Sequence, residues 1–263
     1  MEVIKRNNIK IVGKGEKVMI FVHGFGCDQN MWRYIFPRFI EDYKIVLYDH
    51  VGAGNSELTA FDYQKYNTLE GYAADLLEIC QELEIYDAVL VGHSVGAMIG
   101  VLSAIAQPER FSKLILITPS PCYLNQNDYY GGFDFSTIEG MLQHMKLDYA
   151  DWSGIYASFI MGNPDNPSLA EELAYSFCHT NAAIAQHFAR VTFLSDNRKD
   201  LNKLKTKSLI LQCSNDAIAP EEVGEYMQKH LANTTLVKLK ATGHCPNLSA
   251  PLETIAAMEN FLF

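Results

Sequence analysis

The sequence predicts an α/β fold, a mainly parallel sheet covered by helices on both faces. Two observations predict it. Short β-branched runs at Val18 to Val22, Ile45 to Tyr48, Ala88 to Val91, Leu114 to Ile117, Leu209 to Gln212 and Thr235 to Leu239 alternate with segments of helical period. Between Ala88 and Gln107 the switch is abrupt: a buried strand, a tight glycine-flanked turn, then the helix-like Ala97 to Ala106, which ends before Pro108. At 263 residues the chain is long enough for one large domain and too short for two of ordinary size unless one is an insertion.

Taken along the chain, Leu69, Tyr72, Ala73, Leu76, Cys80 and Leu83 carry the 3,4 spacing of a helix lying on a sheet. Leu252, Ile255, Met258 and Phe261 predict a last helix closing one face. The strand rhythm breaks between Pro121 and Asp196, where four helix-like pieces are separated by Gly162-Asn163-Pro164, Asn166-Pro167 and His179-Thr180-Asn181. This segment is expected to be a helical cap inserted after the sixth core strand. Residues 121–196 then form the cap, and 1–120 with 197–263 form the core. The third cap helix is expected to start at Ser168, with Glu171 completing a capping box.

A net charge of -10 and a pI near 5.2 exclude a nucleic-acid surface, which needs clustered Lys and Arg. They also leave no polybasic lipid anchor. The six cysteines form no CxxC pair and fit reduced thiols. The start, Met1 to Asn8, lacks the apolar stretch of a secretory leader, and apolar runs fall far short of the roughly 20 residues that span a bilayer. A soluble, cytoplasmic protein without membrane partners is expected. The histidines show no HExxH and the acids no calcium-loop spacing, so neither a metal nor a cofactor is expected.

Chemistry concentrates at Gly92-His93-Ser94-Val95-Gly96, a GxSxG sequence in the strand-to-helix context that a nucleophile elbow requires. The turn strains the backbone at the serine, and the flanking glycines remove side chains that would strike the neighbouring strand and helix. Ser94 is thereby raised above the sheet edge, with His93 expected as a packed elbow residue.

A serine hydroxyl is a weak nucleophile at neutral pH and needs a base, which in this arrangement follows an acid in the order Ser, Asp, His. Asp216 lies just after the run Leu209 to Gln212, and His244 just after Thr235 to Leu239. His23, His50, His93, His144, His179, His187 and His230 compete for the role of base, and Asp196 and Asp200 for that of acid. Each rival has a simpler place. His144, His179 and His187 fall in the cap and His230 near a helix C-terminus, while Asp196 ends the cap and Asp200 starts a short helix.

Two backbone amides are needed for a developing oxyanion, one after the nucleophile and one from an early loop. The sequence His23-Gly24-Phe25-Gly26 follows Val18 to Val22, so the amides of Phe25 and Val95 are expected to serve. The glycine-rich Tyr48 to Ser56 has neither GxxxxGK nor GxGxxG spacing and is read as a packing loop, with Asp49 bonding backbone amides. Cap aromatics at helical spacing can wall a cavity over Ser94, although a helix must bury one face in any case. Candidate walls are Phe25, Tyr123, Phe133, Trp152, Tyr156, Phe159, Phe188, Val191 and Ile218.

Longer motifs carry a resemblance. FVHGFGCDQNMW at Phe21 to Trp32, YDHVGAGNS at Tyr48 to Ser56, GHSVGAM at Gly92 to Met98, TPSPCYLN at Thr118 to Asn125 and YYGGF at Tyr129 to Phe133 are part of it. LQCSNDAIAP at Leu211 to Pro220 and GHCPNLS at Gly243 to Ser249 complete it. Over nearly its whole length the chain resembles the RsbQ-like alpha/beta-hydrolases, the group of the bacterial sigma-B energy-stress regulator and the plant strigolactone and karrikin receptors. Cys122 and Cys245 resemble the bacterial branch, while Asn55 and Glu57 depart from the His and Asp expected in their loop.

The resemblance implies an alpha/beta-hydrolase fold with a mostly parallel eight-stranded sheet and a V-shaped four-helix cap over a small apolar pocket. It implies a Ser94, His244, Asp216 triad acting on a small apolar ester or lactone. In RsbQ-like proteins it further implies activation of a ligand-sensing protein phosphatase. Metabolic esterase, slow-turnover receptor and stress regulator all fit these residues. A dehalogenase or epoxide hydrolase fits poorly, because those place Asp where Ser94 stands.

Overall fold

The computed structural model describes residues 2–263. In chain order the elements are α1 (Val3–Arg6), β1 (Lys10–Val12), β2 (Lys17–Val22), β3 (Tyr43–Leu47), α2 (Leu69–Glu82), β4 (Ala88–His93), α3 (Val95–Ala106) and β5 (Phe111–Ile117). Four helices follow: α4 (Phe135–Leu147), α5 (Tyr149–Met161), α6 (Pro167–Cys178) and α7 (Ala182–Leu194). The chain then returns through β6 (Lys207–Ser214), α8 (Glu221–His230), β7 (Thr234–Thr242), α9 (Pro246–Ser249) and α10 (Pro251–Leu262).

The strands form one sheet in the order β1-β3-β2-β4-β5-β6-β7. β1 runs antiparallel to β3 and every other pair is parallel. Both faces are covered, so β4 is buried at each of its positions. Alternate residues divide between two apolar layers. Met19, Phe21, Val91, Ile115 and Leu211 face the layer that includes α4 to α7 and α10. Ile20, Val22, Leu90, Leu114 and Ile210 face α2 and α3.

The sheet has seven strands where eight were expected, and the four helices follow the fifth strand in sequence rather than the sixth. Val3–Arg6 winds into a helical turn held by ion pairs of Arg6 with Asp75 and Glu78, and adds no strand. β1 itself carries no sequence signal, because its three residues are exposed, with Ile11 and Val12 facing water.

α6 starts at Pro167, one residue before the expected Ser168, and the capping box with Glu171 does not form. Proline suits the first helical position, so the Ser168 hydroxyl lies inside the helix and bonds the Asn166 side chain at 2.7 Å. α10 matches the expected last helix, but its buried seam is Thr254 and Met258 while Leu252 is 82% exposed. Among the described residues no helix is long and apolar enough to cross a membrane.

Candidate active site

β4 runs into α3 through Ser94, whose backbone adopts φ 54°, ψ -124°. A non-glycine residue there costs on the order of 1–3 kcal/mol and persists only when its surroundings hold it. They do, since the Ser94 amide donates to the Ile117 carbonyl at 2.9 Å. The flanking glycines are there for space. A Cβ on Gly92 would stand 2.6 Å from the Ala97 Cα, and one on Gly96 would strike the carbonyls of Val22 and His23. The strain therefore resides at the one residue whose hydroxyl must project.

That hydroxyl lies 2.8 Å from His244 Nε2, and His244 Nδ1 lies 2.8 Å from Asp216 Oδ2. Asp216 is buried, and its other oxygen accepts the amides of Ile218 at 2.8 Å and Ala219 at 3.1 Å. These bonds fix the carboxylate as an acceptor, so Nδ1 of His244 carries the hydrogen and Nε2 faces Ser94 with its lone pair. The three residues, 28 and 150 positions apart in pairs, are brought together by the C-terminal ends of three parallel strands.

The main chain of His244 is clamped as well. Its carbonyl accepts His93 Nε2 at 2.8 Å and Thr118 Oγ1 at 3.0 Å, and its amide donates to the Ile160 carbonyl of α5 at 3.0 Å. Burial, followed by the neighbouring His244, lowers His93 to about 3, which keeps its ring neutral. Beside it, Asn163 donates to the Thr242 carbonyl at 3.2 Å. His93 is packed in the elbow and also holds the main chain of His244.

Among the described residues the amides of Phe25 and Val95 have no protein acceptor. Val95 is the first residue of α3, where the opening amides of any helix lack a partner. Tyr123 OH lies 3.3 Å from Ser94 Oγ, and burial raises its phenol well above the usual tyrosine range, so it stays neutral.

Space above Ser94 amounts to about 20 Å³. Of the expected walls, Phe25, Tyr123 and Ile218 line it. Phe133, Trp152, Tyr156, Phe159, Phe188 and Val191 do not. Trp152 stands behind Phe25 and is stacked between Tyr149 and Tyr156. Phe188 stacks on Tyr72 at 4.4 Å, and Phe133 packs against Phe193 from outside. Phe159 is 44% exposed, and Val191 faces the layer beneath α2 and α3 and a cleft at the surface. The helical stripe recorded burial between helices rather than contact with the cavity.

Ile160, of the same α5 stripe as Trp152 and Tyr156, does line the cavity, and the walls that sequence reasoning missed are Cys27, Leu173, Phe177, Thr192, Phe193 and Cys245. Cys27 and Cys245 lie inside the quoted motifs, next to Gly26 and His244, and adjacency to those residues was the signal available. Burial pushes the Cys27 thiol up to about 12 and that of Cys245 up as well.

The rival bases lie elsewhere. His144 bonds Asp151, His179 the Tyr175 carbonyl, His187 the Tyr66 carbonyl and His230 the Tyr226 carbonyl. His23 and His50 bond each other's main chain, with burial lowering both. Asp196 pairs with Arg198, and Asp200 with Lys203. Asp49 bonds the amides of Gln29 and Asn55 at 2.9 Å each, which gives the Tyr48–Ser56 loop its packing role. Among the described residues no cluster of metal-ligating side chains occurs.

An elbow serine above the C-terminal edge of a parallel sheet, with its histidine and acid supplied by later loops, defines the hydrolase class of α/β proteins. The chain belongs to the alpha/beta hydrolase family, whose profile matches residues 19–258. It is 39% identical over 252 residues to the strigolactone esterase D14 of Arabidopsis thaliana, covering 95% of this chain and 94% of that one. It is 37% identical to the karrikin insensitive 2 receptor CA of Petunia hybrida, covering 93% and 91%. Among solved structures, a hydrolase from Oleispira antarctica superposes with a TM-score of 0.97 at 38% identity, over 99% of this chain and 96% of that one.

Proposed function

We infer that this protein is a serine hydrolase of small apolar esters or lactones, and the observation that carries it is the unbroken relay from Ser94 Oγ through His244 to Asp216. Ser94 Oγ attacks the carbonyl carbon and its proton passes to His244 Nε2. Asp216 holds the imidazole in the required tautomer and balances the imidazolium that forms. The carbonyl oxygen, now negative, sits against the Phe25 and Val95 amides. Collapse breaks the bond to the alkoxy oxygen, which takes the proton back from His244 and leaves an acyl-Ser94. Water, deprotonated by the same nitrogen, releases the acid. With a lactone, the expelled hydroxyl stays tethered to the acyl group.

In this reading residues 121–196 are the lid that excludes water and supplies the apolar walls, and 1–120 with 197–263 are the catalytic core. Phe25, Tyr123 and Ile218 favour an apolar acyl part. The six cysteines are free, which fits a reducing cytoplasm. Phenylmethanesulfonyl fluoride tests the assignment. Its sulfonyl mass is expected on Ser94 with loss of p-nitrophenyl butyrate turnover, and Ser94→Ala is expected to take up no label and to turn over no ester. Labelling at another residue, with turnover surviving in Ser94→Ala, would sink it.

A receptor role is a second reading, favoured by the likeness to a protein named a karrikin receptor and by the closed space above Ser94. Slow turnover suffices for it, and the partner it calls for is a ligand-sensing protein phosphatase, as in a stress regulator. Ser94→Ala that abolishes phosphatase activation while leaving complex formation intact would favour this reading; no binding to such a phosphatase, with or without ligand, would remove it.

A further inference from the structure

The cavity at Ser94 is too small for any ester, since about 20 Å³ holds little more than one water. A second, larger cavity of about 320 Å³ lies between α6 and the Cys27–Arg33 segment. Two residues, Cys27 and Leu173, border both. Each is almost fully buried, and their side chains are the part of the partition that both spaces touch. Three contacts beside it join α6 to the segment that follows β2. Arg33 pairs with Glu172 at 2.6 Å, and the Ser176 hydroxyl donates to the Gly26 carbonyl at 2.7 Å. Phe177 fills the space that a side chain at Gly26 would take.

Resting on the hydrolase reading for its substrate, we propose that the cleft between α6 and Cys27–Arg33 is the passage to Ser94, with Leu173 as its door. In the bound state the same cleft is the subsite for an oxygen-bearing part of the substrate. The chemistry of the two spaces divides the ligand. Around Ser94 the walls are aromatic and aliphatic, whereas the outer cleft is lined by Asn30, Asn55, Ser176 and Thr180 together with the Arg33–Glu172 pair. The side-chain amides of Asn30 and Asn55 are exposed on this cleft and, among the described residues, have no protein partner, so they are free to exchange water for a hydroxyl or carbonyl group. The substrate class is an amphipathic ester or lactone, apolar at the reacting carbonyl and oxygenated at the other end. The Arg33–Glu172 pair is partly exposed and therefore weak, as a latch must be.

Cys245 lines the inner cavity and not the outer cleft, so it reports passage without any reference to Ser94 chemistry. In a Cys178→Ser background, modification of Cys245 by methyl methanethiosulfonate is followed by peptide mass. Leu173→Ala is expected to speed it about tenfold. Arg33→Gln, a surface change that spares the fold, is expected to speed it about two- to fivefold. Ile138→Ala, equally buried but bordering neither cavity, is expected to leave the rate unchanged. Unchanged rates in Leu173→Ala and Arg33→Gln, or an equal rise in Ile138→Ala, would overturn the passage. For the subsite, Asn30→Leu is expected to raise KM for glyceryl monoacetate about fivefold and to leave phenyl acetate as it is; equal effects on both esters would overturn it. If the Cys245 rates behave as expected while no ester is cleaved and Ser94 resists sulfonylation, the hydrolase reading fails and the passage stands.

Discussion

His93 Nε2 donates to the main-chain oxygen of His244 at 2.8 Å, so the residue before Ser94 holds the backbone of the residue whose ring reaches the Ser94 hydroxyl. His93→Ala is expected to lower kcat for p-nitrophenyl butyrate about 10- to 100-fold, with KM little changed, because the base is displaced rather than removed. His93→Gln keeps a donor of similar reach and is expected to recover most of the loss. Wild-type kcat in His93→Ala would show that Thr118 alone suffices.

Asp216→Asn keeps the shape of the acid and reverses one hydrogen bond. The amide would donate to Nδ1, leaving the hydrogen on Nε2 against Ser94, the wrong tautomer for a base. A fall in kcat of roughly 10⁴ is expected, as triads of this kind lose when the acid becomes an amide. Steady-state kinetics with an unfolding curve as control checks it, and a loss under about tenfold contradicts the tautomer argument.

Gly26 has φ 69°, and its α-carbon faces the Phe177 ring. Gly26→Ala adds left-handed strain and overpacking, together about 2–4 kcal/mol of lost stability. Gly140, inside α4 with nothing within 4 Å of an added Cβ, is the counterpart. Gly140→Ala is expected to gain about 0.5–1 kcal/mol from helix propensity. Urea unfolding of the two variants should therefore move in opposite directions.

Acid should destabilise the fold through histidines buried in the neutral form. His93 titrates at about 3 when folded. In the unfolded chain an imidazole titrates near 6.5, so below that pH the unfolded state binds the extra proton. Stability contributed by the neutral ring is thus present above about pH 6.5 and is lost as pH falls toward 3. From pH 7 to pH 5 His93 alone accounts for about 2 kcal/mol, and His23 and His50, also lowered by burial, act in the same direction. A urea midpoint in His93→Gln as pH-sensitive as that of the wild type would contradict this.

The parallel strands and the relay were legible because their signals are local. A run such as Val89 to Val91 announces burial by itself, and Ser94, Asp216 and His244 each follow a strand end within a few residues. β1 was not legible because an exposed edge of three residues has no apolar pattern to read. The cavity walls were not legible for a different reason. Trp152 and Phe188 are large, apolar and at helical spacing, yet so is any side chain packed between helices. Which of them reaches Ser94 depends on how α5, α6 and α7 lean together, and Phe177 and Phe193 occupy that place.

The bond from the His244 amide to the Ile160 carbonyl ties α5 directly to the main chain of the relay. A ligand that shifts α5 far enough to break this bond is expected to change turnover at Ser94, and by reciprocity a group bound covalently to Ser94 is expected to change the hydrogen-exchange protection of α5.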